Sequence, residues 1–401
     1  MRYRYKAVTS DGKKVRGIAE AKQERDAASY LRQRGLIPID ISKEGEFEIF
    51  KKLPFVGKIK SKDLIIFTRQ VSSMLASGLT LVKSLEILKD QIGNKAFQEI
   101  IRGILLDIEE GKTFSESIAK YPDIFPEVYV SLVKAGESSG LLDKIFLRLA
   151  NNLEKQQRLR RTVKSALIYP AIVITLMLVV ILVIMVFVIP ELNRLYESLN
   201  AEVPLATKIV VGLSSSISKG WPLIIGFGGV LAYGFLRWKK TDKGKEIYDK
   251  NILRVPLLGK ILHLSILTEF SRTLGLLVGT GTLVVDALEQ SAKVTGNFTY
   301  ERTIMDIARR VEKGVPVGES MTYFSIFPSI LVQLVKVGEE TGKLDENLSK
   351  ASEYFEEEVN QSVKNLTTLM EPLILIVLGV GVGFLVFSVI SPIYNLLSAI
   401  Q

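Results

Sequence analysis

Apolar and polar positions in this chain are separated into long blocks as well as alternating within them. Three runs carry no charged residue: Ser165 to Pro190 (26 residues), Gly220 to Leu236 (17) and Pro372 to Gln401 (30). A helix crosses a bilayer core in about 20 apolar residues, so the first and third runs are predicted membrane spans. The second is short, but Trp221 and Trp238 stand at its ends like an interfacial aromatic belt. A buried core helix is the competing reading there, and it would leave the chain on the wrong side of the membrane. Between these blocks Leu64, Phe67, Val71, Met74 and Leu75 recur at helical spacing and predict one buried stripe. The beginning of the chain has period two instead. Tyr3, Tyr5 and Ala7 alternate with basic residues, Asp11-Gly12 marks a hairpin turn, and Lys13 to Ala21 supplies the return strand. Gln23 to Arg34 reads as a helix closed by Gly35, and Leu36 to Ile41 as a third strand, which makes a small ββαβ module.

The two long polar regions repeat one another. At an offset of 203, Phe67-Thr68-Arg69 falls on Phe270-Ser271-Arg272, Gly78 on Gly281, and Gly93-Asn94 on Gly296-Asn297. Over the 28 positions from Phe67 to Asn94, 8 are identical. At an offset of 202, the stretch Val133 to Asp143 meets Val335 to Asp345 with 7 of 11 positions identical, and Tyr169-Pro170 meets Glu371-Pro372. Each copy therefore runs from a helical domain into a membrane span with proline at its start. About six short helices fit each copy. Gly78 and Gly281 are expected as left-handed helix ends, and Thr113 to Glu116 has capping-box form, its counterpart Pro316 suiting a first helical turn.

Charge then orients the spans. The chain has 401 residues with 52 Lys+Arg against 43 Asp+Glu, a net charge of +9. Lys155, Arg158, Arg160, Arg161 and Lys164 precede the first span, and Arg237, Lys239, Lys240, Lys243 and Lys245 follow the second. The 29 residues from Glu191 to Lys219 are charge-neutral. By the positive-inside rule the long polar regions and the N-terminus are cytoplasmic, and the short loop and the C-terminal end face outward. The stretch MRYRYKAV has none of the apolar core of a signal peptide. No basic cluster stands apart from the membrane flanks, so direct nucleic-acid binding is not expected.

Several chemistries are excluded. With 0 Cys and 1 His there is no disulfide framework, thiolate metal site, thiol nucleophile or multi-histidine site. Any Ser-His-Asp triad would need His263, which has no paired motif and reads as a surface or capping residue. Gly111-Lys112-Thr113 resembles the end of a phosphate loop, but position 106 is Leu and the repeat partner is Gly314-Val315-Pro316. Glu353, Glu356, Glu357 and Glu358 read as a solvated helix face. No Asp, Glu, Lys or Arg lies within the three charge-free runs, which disfavours transport. The repeated Gly-Glu-x-x-Gly, Gly136-Glu137 to Gly140 and Gly338-Glu339 to Gly342, predicts a tight turn between helices with its Glu near the next helix's N-terminus. The same turns, with Arg69 and Arg272, are candidate partner contacts. Tyr169, Pro170, Gly379 and Gly383 are candidate transmembrane packing residues.

These motifs resemble the inner-membrane platform family that includes type II secretion system protein F and the type IV pilus assembly platform proteins. The resemblance covers about Lys62 to Gln401 and rests on Phe67-Thr68-Arg69 to Gly78, the two Gly-Glu motifs, and Tyr169-Pro170 to Pro190. The first 42 residues are similar to the N-terminal extension of many members. It implies a non-enzymatic scaffold without cofactor in the bacterial cytoplasmic membrane, a homodimer or higher homo-oligomer. Its implied partners are a hexameric assembly ATPase, pilin or pseudopilin subunits and other inner-membrane assembly proteins, with lipid around the spans. Some relatives hold a divalent cation with carboxylates four apart after the Gly-Glu motif. Those positions are Leu147 and Asn151 here, so no metal is carried over.

The expected architecture is mainly α: two repeated cytoplasmic helical bundles, three transmembrane helices and the small N-terminal ββαβ module. The expected boundaries are an N-terminal module over 1–45, a linker over 46–62, bundle 1 over 63–165 and the first span over 166–190. An outer, periplasmic loop over 191–219, the second span over 220–238, bundle 2 over 239–370 and the third span with the C-terminal end over 371–401 complete the chain. A permease is the alternative class. A receptor would need an outer sensing domain larger than 29 residues.

Overall fold

A computed structural model describes residues 2–9, 14–21, 30, 36–43, 59–191, 194, 212 and 226–399. At the start of the chain, β1 (Arg2–Thr9), β2 (Lys14–Glu20) and β3 (Leu36–Lys43) form an antiparallel sheet in the order β2-β1-β3. The β1/β3 register shifts between Lys6 and Ala7, opposite Pro38, which has no N–H to contribute to a ladder. The complete ββαβ module is not supported. Of the helix expected over Gln23 to Arg34 only Tyr30 falls within the described residues, and the Asp11-Gly12 turn lies outside them.

The rest is helical, with the same six-helix order in each repeat among the described residues. The first copy comprises α1 (Ser61–Ala76), α2 (Leu81–Gln91), α3 (Lys95–Glu109), α4 (Phe114–Ala119), α5 (Glu127–Ser139) and α6 (Leu142–Val183). A helix over 226–238, α7, and α8 (Asp242–Ile252) lead into the second copy. That copy comprises α9 (Leu258–Val278), α10 (Val284–Val294), α11 (Phe298–Glu312), α12 (Val317–Thr322), α13 (Ser329–Thr341) and α14 (Leu344–Ala399). Met1–Lys112 and Thr113–Gln401 form two compact units, so the division falls inside the first repeat.

Local chemistry explains the helix ends. Gly78 and Gly281 adopt φ of +84° and +83°, the left-handed region that glycine enters without steric penalty. Thr113 and Glu116 form the expected reciprocal capping box. Pro316 is the N-cap of α12, one residue before the first turn, so it closes no side-chain cap. Asn94 and Asn297, repeat equivalents, cap α3 and α11 by accepting from two backbone N–H groups each.

The cores repeat as well. Within the first unit Phe67 and Phe97 are buried with ring centroids 5.3 Å apart. In the second repeat Phe270, Tyr300 and Phe327 are buried, with Phe270 and Tyr300 5.9 and 6.3 Å from Phe327. Each such side chain contributes about 1.5–3 kcal/mol of burial. His263 is neither a surface residue nor a cap: its Nδ1 hydrogen-bonds the hydroxyl of Tyr300 inside this core. Burial pushes the His263 pKa down and the Tyr300 hydroxyl up, because it disfavours the charged form of both.

Among the described residues three helices are long and apolar enough to cross a membrane, Leu142–Glu191, Leu258–Val278 and Leu344–Gly383. Burial separates them. Only 6% of the apolar window is buried in the first and third, against 67% in Leu258–Val278, which packs along α14 and holds Arg272 in its interior face. Leu258–Val278 is therefore a core helix of the second bundle. The described part of the expected second span, 226–238, is helical with Phe227, Val230, Leu231 and Tyr233 exposed, while 220–225 lie outside the described residues.

In the first copy the helix runs from Leu142 through the buried Pro170 and a π turn at Ile184–Val188. Proline removes one helical hydrogen bond, a loss the uninterrupted turns on either side tolerate. At about 1.5 Å per residue, the 56 residues of α14 extend about 84 Å, far more than the ~30 Å of a bilayer core. The bundle helix and the apolar candidate span are thus one continuous helix in both repeats.

Candidate functional site

The repeated Gly-Glu-x-x-Gly motif is built the same way twice. Gly136 and Glu137 lie in the last turn of α5, and Gly140 ends it at φ +71°; Gly338, Glu339 and Gly342 (φ +69°) do the same for α13. The first glycine admits the following helix. A Cβ at Gly136 would stand 2.8 Å from Ile145 Cγ1, and one at Gly338 2.9 Å from the Leu344 Cα. The glutamate does not face the next helix, as its position in the chain suggests. The N–H groups of Phe114 and Ser115 donate to the Glu137 carboxylate at 2.6 and 3.0 Å, and those of Val317 and Gly318 to Glu339 at 2.6 and 2.9 Å. Each glutamate caps the short helix before its own, across 21–23 residues of chain. An anion at a helix N-terminus satisfies orphan N–H groups and meets the positive end of the dipole. Both glutamates are committed to this internal role, whereas Ser138, Ser139, Gly140, Thr341 and Gly342 are exposed.

Arg272 is also turned inward. Its side chain is 8% exposed, and Nη2 donates to Glu356 at 2.6 Å, with Nη1 3.7 Å from Glu269. A group so placed offers no surface to a partner protein, and Glu356 is its counter-ion instead of part of a wholly solvated face. Arg69, the repeat equivalent on α1, is half-buried. Around Arg272 the helix α6 of the first repeat meets α9 and α14 of the second. Gln156 donates to Glu269 at 2.8 Å, Lys155 pairs with Glu353 at 3.4 Å, and Arg148 donates to the Gly279 carbonyl at 2.9 Å. Glu269 is mostly buried, and desolvation raises its pKa against the opposing pull of Arg272, the Gln156 hydrogen bond and Arg160.

The candidate transmembrane packing residues divide. Pro170 is buried and Tyr169 exposed. A Cβ at Gly379 or Gly383 would meet no atom within 4 Å, so among the described residues no helix of this chain packs on that face.

Residues 67–190 and 270–392, the two repeats, match the family described as Type II secretion system (T2SS), protein F. Residues 1–42 match the Type II secretion system protein F, N-terminal domain. The chain belongs to the type II secretion system protein F family. Among relatives within this family, a type IV pilus assembly protein of Aeromonas hydrophila is 36% identical over 98% of this chain and 95% of its own. A type IV pilus assembly protein of Thermus thermophilus is 34% identical over 100% and 99%. A type II secretion system protein F of Pseudomonas aeruginosa is 27% identical over 98% of both. The two blocks of the protein F match coincide with the repeat read from the sequence.

Sequence reasoning missed three features: the Glu137 and Glu339 caps, the Arg272–Glu356 pair and the His263–Tyr300 contact. The first two carried a signal. Glu recurs in both motifs, and Arg272 and Glu356 have counterparts Arg69 and Glu154 in the first repeat.

Proposed function

We propose that this protein is the inner-membrane platform of a type IV pilus or type II secretion machine. It couples a hexameric cytoplasmic ATPase to the insertion of pilin or pseudopilin subunits into a filament, and it is a scaffold without catalytic residues or cofactor. Family membership supports the machine. The continuity of bundle and span in α6 and α14 carries the mechanism, because a helix without a break transmits a push or twist from its cytoplasmic end to the bilayer.

In this reading the N-terminus and both bundles are cytoplasmic, 220–238 is the second of three spans, and copies associate as a dimer or higher oligomer through Gly379 and Gly383. The Gly136–Gly140 and Gly338–Gly342 turns stand at the far end of the rods. At about 1.5 Å per residue, Leu142 lies about 35 Å along its helix from Ser165, where the charge-free run begins. These exposed tips are where the ATPase docks, and Arg69, in the other compact unit, is a separate candidate contact. Co-purification with the ATPase tests this: Ser138→Arg with Glu340→Lys should abolish it while the bundle melts normally. Undiminished ATPase binding by that variant overturns the assignment.

A further inference from the structure

An open groove of about 580 Å³, within the range of small-molecule sites, runs between α6, α9 and α14. Its walls are apolar, with Leu159 and Leu167 from α6, Leu258 and Leu262 from α9, and Val363 and Leu366 from α14. Its lower end lies beside Ala166 and Leu167, where the charge-free span has begun, so it opens at the bilayer surface.

Three charged side chains enter this apolar lining: Arg160, Lys164 and Glu269. None follows from the repeated fold. Their counterparts in the other repeat are Ser362, Leu366 and Ile66, residues that carry no charge. Arg160 and Lys164 are exposed, and among the described residues no ion pair to either is present. The upper wall ends at Glu269. Its Oε2 accepts from Gln156, while Oε1, buried and without a hydrogen bond, lies 3.7 Å from Nη1 of Arg272, whose Nη2 is held by Glu356 at 2.6 Å. A carboxylate with one oxygen that accepts no hydrogen bond, two cations below it and an apolar trough leading into the bilayer match one chemistry. They match an ammonium, a phosphate and acyl chains in that order.

We propose that this groove binds phosphatidylethanolamine. The ammonium donates to Glu269, the phosphate meets Arg160 and Lys164, and an acyl chain descends along Leu262, Leu258 and Leu366 into the membrane. Basic residues at a membrane flank commonly take anionic headgroups. The buried carboxylate distinguishes this site, since it repels a headgroup of net negative charge and rewards a donor cation. A lipid so held wedges the first-repeat helix against the second bundle.

The test is lipid retention by the full-length protein, released from vesicles of equal phosphatidylethanolamine, phosphatidylglycerol and phosphatidylcholine and weighed by native mass spectrometry. Wild type should retain phosphatidylethanolamine about tenfold over the other two, as expected for one charge-assisted hydrogen bond. Phosphatidylcholine has the positive charge but no N–H to donate. Glu269→Gln should remove the preference, and Arg160→Ala with Lys164→Ala should lose both phosphatidylethanolamine and phosphatidylglycerol. Leu262→Trp should fill the trough and expel lipid while the headgroup residues stay intact. Equal retention of the three lipids by wild type overturns the proposal, as does preference for phosphatidylglycerol or an unchanged preference in Glu269→Gln. So does a dimer that buries the groove free of lipid. Because the protein is membrane-inserted in every arm, these results stand apart from whether the ATPase docks at the tips.

Discussion

Replacing Glu339 by Gln removes the charge and one of the two carboxylate oxygens that cap α12. The N–H groups of Val317 and Gly318 donate to it at 2.6 and 2.9 Å, and the carboxylate is half-buried. Hydrogen bonds to charged groups contribute about 1.5–3 kcal/mol each, and an anion at a helix N-terminus adds about 0.3–1 kcal/mol. Gln keeps one acceptor, so the net loss is about 2 kcal/mol, equivalent to about 4–8 °C in the midpoint of a bundle of this size. The assay is thermal unfolding of the full-length protein in detergent, beside Glu340→Gln. Glu340 is the exposed next residue, with an expected change within about 0.5 kcal/mol. Glu137→Gln should match Glu339→Gln, because its cap has the same geometry. A Glu339→Gln protein that melts with wild type, or a Glu340→Gln protein that falls as far, refutes the capping account.

The neighbouring glycines should behave alike. A Cβ at Gly338 meets the Leu344 Cα at 2.9 Å, and one at Gly136 meets Ile145 Cγ1 at 2.8 Å and Ile145 Cβ at 3.1 Å, atoms that a β-branched side chain holds close to its backbone. Gly338→Ala and Gly136→Ala should therefore each cost about 2–3 kcal/mol, read as midpoints in the same melting assay. Burial raises the Glu269 pKa, so the folded state holds a proton that the unfolded state releases. Stability from this group is fully present below its unfolded value, near 4.5, and is lost as pH rises through the raised folded value. Glu269→Gln should remove that decline between mildly acidic and neutral pH; a profile of wild-type shape counts against it. For topology, a reporter fused at Ser215 should signal from outside the cell and one at Lys350 from the cytoplasm. A cytoplasmic Ser215 would reverse the assigned orientation.

Much of the helical part was legible because its determinants are local or repeated. Gly140 and Gly342 announce left-handed ends, Thr113 and Glu116 announce a cap three residues apart, and charge-free runs announce spans by length alone. What escaped depends on long-range pairing. Nothing beside Glu137 in the chain points to Phe114, 23 residues earlier, since the link exists only after α4 and α5 pack together. Arg272 and Glu356 are 84 residues apart, and His263 and Tyr300 37. Arg272, looking like a partner-facing cation, proved to be a buried ion pair for this reason. Leu258–Val278 shows the converse: by composition it passes for a span, and only its packing against α14 reveals a core helix.

Docking of the ATPase at the far tips of the two rods can be tested by site-directed cross-linking. The chain has 0 Cys, so single cysteines can be placed without background. Ser138→Cys and Glu340→Cys mark the two tips, and Arg161→Cys marks the membrane flank. In cells that assemble filaments, both tip cysteines should cross-link to the assembly ATPase and Arg161→Cys should not. Cross-linking at Arg161→Cys with none at the tips would contradict docking there.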